Sequence, residues 1–215
     1  MVSAKLKLKF QEILRGDFKT GNLNLLLVFQ VNCPGCFLQA FPIANQLKKD
    51  YSSRGLNVLG LSTAFEDFEL NTLENTKRLM TQGELTGETK RILNRLGHKK
   101  LPLKIQFDVA FDFLEPRNLK DIDKEAENYC QQIEGFEEAH QDRKDVIHGQ
   151  LKQYFFDKKY TAFTFDENKL QGTPSWILFD KNFHVLFECF GNKEYDFFQN
   201  LLKSHLTGSR YENPV

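Results

Sequence analysis

The 215-residue sequence predicts an α/β fold in which helices flank a central mixed sheet. Three observations lead to this prediction. The first part of the chain reads strand, helix, strand, which is the order of a unit with two parallel strands. Near the C-terminus, two apolar runs around a short turn indicate an antiparallel hairpin, followed by a closing helix. Between these parts, a charged segment at about residues 112–160 has helical periodicity and is interpreted as a helical insertion.

The length and the composition favour one globular domain that spans residues 1–215. The 21 Phe residues can fill a substantial core. Lys plus Arg and Asp plus Glu number 29 each, so no overall charge attracts nucleic acid or an anionic membrane surface. The longest apolar run lies around "LLLVFQV" and is shorter than the roughly 18 residues that span a bilayer. We therefore expect neither a nucleic-acid partner nor membrane insertion.

The N-terminal strand–helix–strand unit is read from apolar spacing. Residues Leu23–Val31 form an almost continuous apolar run, which is typical of a strand buried on both faces. From Cys36 to Tyr51, apolar residues recur at intervals of three and four, which predicts an amphipathic helix. Pro42 should kink this helix. The second buried strand is Leu56–Thr63.

The remaining elements follow in order along the chain. Two helices are predicted at about Thr72–Met80 and Thr86–Leu96, then a short strand "PLKIQFD" at residues 102–108. After the helical insertion, "GTPSWILFD" and "NFHVLFECFG" are predicted strands that a turn at residues 180–182 connects. The segment "KEYDFFQNLLKSHL" is predicted to be the closing helix.

The compartment is inferred from the N-terminus and from the cysteines. The four cysteines are too few and too scattered for the disulfide framework of a small secreted domain. In "MVSAKLKLKFQEILRG", alternating Lys residues interrupt any apolar core of an export signal. We expect a cytoplasmic protein, and the alternative is a periplasmic or exported one if a leader has been removed.

The pair Cys33 and Cys36 is the main candidate for chemistry. It could be a disulfide staple, half of a metal site or a reaction centre. A structural zinc site needs about four ligands, and no second Cys pair or His pair accompanies this one, so no metal and no cofactor are expected. A staple that closes so short a loop would add little stability. Cys130 and Cys189 are expected to be core residues.

A reactive dithiol remains, because the pair lies at a predicted strand-to-helix junction. The first helical turn offers unpaired N–H groups and the positive end of the helix dipole, and both stabilise a thiolate. Cys33 lies at the expected N-cap, Pro34 suits the first helical position, and Gly35 adds no steric cover over the sulfur. Cys33 is therefore the predicted nucleophile and Cys36 the predicted resolving thiol.

On the segments "VFQVNCPGC", "VLGLSTAFEDF", "GTPSWILFD" and "FECFG", the sequence resembles the thioredoxin-like superfamily, in particular its redoxin or TlpA-like thiol-disulfide oxidoreductases. The resemblance covers roughly half of the chain, in the correct order. It implies a thioredoxin-like fold in which Pro174 is cis and packs against the Cys pair. Thr173 and Pro174, with Pro34 and Gly35, would then bind an extended polypeptide substrate beside Cys33. A plain turn at residues 172–174 is the alternative.

The sequence departs from this family at the usual proton acceptors. Leu27 occupies the position of the buried Asp of thioredoxins, and Gln39 occupies that of a Glu frequent in TlpA-like proteins. Glu66 and Asp67 follow the second strand and should lie at the edge where sites form in parallel sheets. Either could assist proton transfer at Cys36, and the alternative is that both are solvated surface residues.

Three functions compete at this point. The first is disulfide exchange with protein thiols and disulfides, with an unidentified redox partner that recycles the enzyme. The second is a thiol peroxidase, against which Gln30 argues, because peroxiredoxins have a Thr three residues before the reactive Cys. The third is a redox-inactive binding module that works through the helical insertion. The sequence does not determine the oligomeric state.

Overall fold

The structure is a computed structural model that describes residues 4–117, 119–131, 133–158 and 160–206. It divides into two compact units. The first unit comprises Met1–Phe113 and Ala162–Val215, and the second comprises Leu114–Thr161. The second unit thus falls in the region of the predicted insertion, at about residues 112–160.

The first unit is built on a six-stranded mixed sheet. Its strands are β1 Phe10–Arg15, β2 Leu23–Phe29, β3 Leu56–Ser62, β4 Asp108–Asp112, β7 Ser175–Asp180 and β8 Val185–Phe190. They lie in the order β1-β4-β3-β2-β7-β8. Strand β2 is parallel to β3, and β3 is parallel to β4. The other pairs, β1 with β4, β2 with β7, and β7 with β8, are antiparallel. This arrangement confirms the predicted mixed sheet.

In the part of this unit that the structure describes, there are five α-helices. They are α1 Phe41–Tyr51, α2 Leu73–Gln82, α3 Gly87–Arg95, α6 Phe163–Glu167 and α7 Tyr195–Leu206. A π-helical segment, Cys36–Ala40, runs directly into α1, and the N–H of Phe41 donates to the carbonyl of Cys36. Pro42 has no N–H and its ring would clash with the carbonyl four residues earlier, so a locally wider helix accommodates it.

The core lies on both faces of the sheet because β2 is buried along its whole length. On one face, Leu25, Leu27 and Phe29 pack in one cluster with buried residues of α1 and α7. The ring of Phe41 contacts the rings of Phe29 and Phe107 at centroid distances of 4.8 and 5.6 Å. These contacts hold the start of α1 against the C-terminal end of β2.

Two elements differ from the sequence prediction. The strand predicted at residues 102–108 is wrong, since the strand here is β4, Asp108–Asp112. The preceding segment docks on α1 instead, where Asn45 donates to the carbonyl of Lys104 and accepts from the N–H of Gln106. In addition, β1 was not predicted. It is a largely exposed edge strand whose pairing with β4 is irregular, so no regular alternation marks it.

The second unit contains helices α4 Ile122–Cys130 and α5 Gln141–Asp157. Ile122, Ala126 and Phe155 form its buried apolar cluster. Two short strands, β5 Leu114–Pro116 and β6 Tyr160–Ala162, pair in a separate two-stranded sheet. Within the described ranges of the chain, no helix is both long and apolar enough to cross a bilayer.

Candidate active site

The sheet topology brings two distant segments to one edge. Strand β7 runs antiparallel to β2, and Val28 near the end of β2 pairs with Ser175 at the start of β7. The residues that follow β2 therefore meet the residues that precede β7. The first group includes Cys33, and the second includes Thr173 and Pro174. The ends of the parallel strands β3 and β4 lie at the same edge.

Cys33 and Cys36 form a disulfide, with a Cα–Cα distance of 5.4 Å. Helical backbone begins at Pro34, directly after Cys33. The N–H of Cys36 lies 3.3 Å from Sγ of Cys33 and 3.1 Å from its carbonyl oxygen, which is the geometry of an N-cap. Cys33 is 9% exposed and Cys36 is fully buried, so an incoming molecule reaches only the sulfur of Cys33.

The peptide bond between Thr173 and Pro174 is cis. The carbonyl oxygen of Thr173 lies 3.6 Å from Sγ of Cys33. Pro174 is buried, while Thr173 is half-buried. Pro34 and Gly35 are also half-buried, in the first helical turn. The structure thus brings the carbonyl of Thr173 close to the sulfur of Cys33.

A groove of about 330 Å³ opens beside Cys33. Its walls come from the ends of β2, β3 and β8 and from the loop before β7. The lining residues are Gln30, Asn32, Cys33, Phe65, Glu66, Gln171, Gly172, Thr173 and Phe190. The ring of Phe190 covers Gly172, where a Cβ atom would lie 2.7 Å from the ring, so glycine is needed for this close approach.

Gln30 connects two walls of the groove through its buried amide group. Its Oε1 accepts a hydrogen bond of 3.1 Å from the hydroxyl of Thr173, and its Nε2 donates to the carbonyl of Glu66 at 3.4 Å. Sequence reasoning considered Gln30 only as an argument against a peroxidase. A buried amide at the end of an otherwise apolar strand was the available signal of a local role.

Glu66 and Asp67, the residues considered for proton transfer, are exposed. Glu66 lines the groove with Cys33. The carboxylate of Asp67 accepts a hydrogen bond of 2.7 Å from Nδ2 of Asn32, one residue before Cys33. The N–H of Asn32 in turn donates to Asn71 at 3.0 Å. Asp67 therefore helps to fix the loop after β3 against the residues that lead to Cys33, and its role in proton transfer stays a prediction.

The other two cysteines have no disulfide partner and lie apart from this pair. Cys130 is buried at the end of α4, and Cys189 in β8 packs at the margin of the core. Burial raises the pKa of both thiols, which keeps them protonated and weakly nucleophilic. This environment contrasts with that of Cys33, whose sulfur receives an N–H group and faces a groove.

Leu27 and Gln39, the positions at which the sequence departs from the resembled family, make structural contacts. Leu27 is fully buried in β2 and belongs to the apolar core. Nε2 of Gln39 donates to the carboxylate of Glu194 at 2.9 Å and so ties the π-helical segment to the residue before α7. At neither position does the side chain carry an ionisable group.

No family model and no curated protein matches the sequence. Solved structures match it across nearly its whole length. A thiol-disulfide isomerase from Corynebacterium glutamicum is 22% identical with a TM-score of 0.57, and the alignment covers 97% of this chain and 99% of that one. A thioredoxin-like superfamily protein is 19% identical with a TM-score of 0.57, covering 95% and 97%. The predicted thioredoxin-like fold is confirmed, and the narrower redoxin or TlpA-like assignment stays a prediction.

Proposed function

We propose that this protein is a thiol-disulfide oxidoreductase that exchanges disulfides with polypeptide substrates through Cys33 and Cys36. One observation carries the proposal. The two cysteines are bonded to each other at the start of a helix, and only Cys33 borders an open groove. A bonded pair that is partly accessible at a helix N-terminus is suited to reversible thiol chemistry rather than to passive cross-linking.

In the reduced protein, the thiolate of Cys33 attacks one sulfur of a substrate disulfide. The substrate S–S bond breaks, a mixed disulfide forms, and one substrate thiolate leaves. Cys36 loses its proton and attacks Sγ of Cys33, which releases the second substrate thiolate and forms the Cys33–Cys36 disulfide. Two electrons pass from the protein to the substrate. The N–H of Cys36, 3.3 Å from Sγ of Cys33, supports the thiolate before attack.

The groove favours an extended polypeptide over a compact substrate. The carbonyl of Thr173, beside the sulfur, can accept a backbone N–H from a substrate segment that lies along the loop before β7. Such pairing recognises main chain and tolerates different side chains. The partners proposed are therefore protein thiols and disulfides, and a separate redox partner would recycle the dithiol.

Trapping tests this proposal. A Cys36→Ala variant has no resolving thiol. When its Cys33 attacks a disulfide of insulin, an insulin chain should stay bound as a mixed disulfide, visible as a mass increase that dithiothreitol reverses. Cys189→Ser is the matched control, since it removes a thiol outside the groove, and it should reduce insulin like the unchanged protein. The proposal fails if the reduced protein neither reduces insulin nor forms the adduct after Cys36→Ala.

Two other outcomes would replace the proposal. Rapid consumption of hydrogen peroxide that depends on Cys33 would indicate a thiol peroxidase. Unchanged binding of a partner by a variant with Cys33→Ser and Cys36→Ser would indicate a binding module that works through the second unit. The cytoplasmic location stays a prediction, which fractionation of cells that express the full chain would test.

A further inference from the structure

Asp112, the last residue of β4, is fully buried and accepts four hydrogen bonds. Its Oδ1 accepts from the N–H groups of Phe113 and Thr164, both at 2.9 Å. Its Oδ2 accepts from the hydroxyl of Thr63 at 2.8 Å and from the N–H of Phe165 at 3.2 Å. The four donors come from the loop after β3, from the residue after β4, and from α6. All four are uncharged, so no cation compensates the carboxylate through these bonds.

The first connection from Asp112 to the groove runs through stacked rings. The ring of Phe165 lies parallel to that of Phe65, with centroids 3.9 Å apart and an interplanar angle of 4°. Phe65 lines the groove next to Cys33. Thr63 strengthens this connection, because its N–H also donates to the carbonyl of Phe29 at the end of β2. The loop after β3 is therefore fixed at both the carboxylate and the strand that leads to Cys33.

The second connection runs along the chain from α6. The N–H of Leu170 donates to the carbonyl of Phe165, so the residues after α6 turn back on the helix that Asp112 holds. Gln171, Gly172 and Thr173 follow and line the groove. The carbonyl of Thr173 then faces the sulfur of Cys33. Asp112 thus anchors two of the segments that form the groove, the loop after β3 and the residues that follow α6.

Two charged residues on the elements that surround this carboxylate, Lys9 and Asp166, make contacts with other groups. Lys9 is joined to α6 through its main chain, which exchanges hydrogen bonds with the hydroxyl of Thr164. Its ammonium group lies over the ring of Phe113, 3.4 Å from the centroid. In α6, the carboxylate of Asp166 accepts from the N–H of Ala162. The four hydrogen bonds described for Asp112 all come from neutral donors, and a buried charge in that situation costs stability.

We infer that Asp112 is a positioning residue for disulfide exchange at Cys33, a conclusion that depends on the proposed oxidoreductase activity. Its carboxylate holds Phe65 and the Thr173 loop in the places where a polypeptide substrate would bind. The dithiol itself is built independently, from the end of β2 and the first helical turn. Loss of the carboxylate should therefore affect substrates that need the groove and spare those that need only the sulfur.

Asp112→Asn tests this inference without changing the size of the side chain. An NH₂ in place of Oδ1 would lose the bonds from the N–H groups of Phe113 and Thr164. An NH₂ in place of Oδ2 would lose the bond from the N–H of Phe165, while the hydroxyl of Thr63 can turn to accept, so at least one of the four bonds is lost. The matched control is Asp108→Asn at the other end of β4, where the carboxylate also accepts two backbone N–H groups, from Asp17 and Phe18. Circular dichroism establishes that each variant is folded at the assay temperature.

The measurement is the second-order rate constant for oxidation of the reduced protein by two disulfides. Insulin is the polypeptide substrate, and 2-hydroxyethyl disulfide is a small neutral one without a backbone to bind in the groove. In Asp112→Asn, we expect the insulin rate constant to fall about tenfold or more, and the rate constant for the small disulfide to stay within about twofold. Asp108→Asn should change neither.

The alternative outcomes are distinct. Equal losses with both disulfides, or unchanged rate constants with both, would overturn the inference, since a structural defect or no role at all would then explain Asp112. If Asp112→Asn does not fold, Thr63→Val removes one donor with little change of shape and should lower the insulin rate selectively by a smaller factor; a proportional loss with both disulfides would overturn the inference. A wild-type protein that reacts with neither disulfide would overturn the proposed function, and this inference with it.

Discussion

Ionisation of Asp112 should destabilise the folded protein. Burial is the largest influence on this carboxyl and raises its pKa from 3.8 to about 6, although the hydrogen bonds from Thr63, Thr164 and Phe165 act in the opposite direction. In the unfolded chain, the group ionises near its ordinary pKa of 3.8. Between these two values, the folded state binds the proton more tightly. The stability that protonation provides is therefore fully present below the unfolded pKa and is lost as the pH rises through about 6.

The size of the effect follows from the two pKa values. At ~1.4 kcal/mol for each pKa unit, the free energy of unfolding should fall by about 3 kcal/mol as Asp112 ionises. Urea unfolding of the wild type and of Asp112→Asn between about pH 3 and pH 7.5 would measure it, because the other carboxyl groups titrate in both proteins and cancel in the difference. The stability of the wild type relative to the variant should decrease by this amount towards neutral pH.

A difference between the two proteins that does not change with pH would refute this reasoning. A difference that grows in favour of the wild type towards neutral pH would refute it more strongly. In that case, the four hydrogen bonds would outweigh the loss of hydration, and the folded pKa of Asp112 would lie below that of the unfolded chain.

Three further predictions concern the core, the thiols and a tyrosine. Phe41→Ala should lower the free energy of unfolding by about 3–5 kcal/mol in urea titrations, because Phe41 is fully buried among aromatic rings. The control is Leu38→Ala, at a side chain that is 46% exposed, which should change the free energy of unfolding by less than about 0.5 kcal/mol. In the reduced folded protein, iodoacetamide should modify Cys33 before Cys130, as peptide mass mapping would report, because burial raises the pKa of the Cys130 thiol; faster modification of Cys130 would contradict this. Burial and the hydrogen bond to Asp50 raise the pKa of Tyr195 to about 12. Ultraviolet titration should therefore show a late-ionising phenol signal that Tyr195→Phe removes, and a late signal that the variant keeps unchanged would contradict this.

The central strands and α1 could be predicted because their buried positions carry apolar residues, and the spacing of these residues is visible in the sequence. Strand β2 is buried at every position and reads as a continuous apolar run, and the predicted range Leu23–Val31 contains it. Strand β4 is equally buried at Val109, Ala110 and Phe111. It is flanked by Asp108 and Asp112, however, and aspartate is unfavourable in strands, so the apolar run before it was the more attractive prediction. The error came from a tertiary role for those two carboxylates that local composition does not reveal.

The candidate site also contains residues that the sequence predicts and residues that it does not. The Cys pair and Pro174 could be found because each carries a local signal, and the structure brings them to one edge of the sheet. The bonds of Gln30 to Thr173 and to Glu66 join residues that are distant in the sequence. Those of Asp112 to Thr63 and Thr164 do so as well. Such bonds depend on strand order and register, which one sequence without its fold does not specify.

The two aspartates of β4 are expected to have different roles. Asp108 stabilises the fold, and Asp112 positions the groove. Asp108 lies 3.6 Å from the ammonium group of Lys48, whereas the four described donors to Asp112 are neutral and belong to segments that lead to the groove. Hydrogen bonds to an ionised carboxylate are stronger than those to a neutral one, so ionisation should hold the groove more firmly while it destabilises the fold. As the pH rises through about 6, the pKa of Asp112, the ratio of the insulin rate constant to that of 2-hydroxyethyl disulfide should therefore increase. Because both rate constants depend on the same Cys33 thiolate, its ionisation cancels in the ratio. A ratio that does not depend on pH in the wild type, or that depends on it equally in Asp112→Asn, would show that Asp112 does not act on the groove.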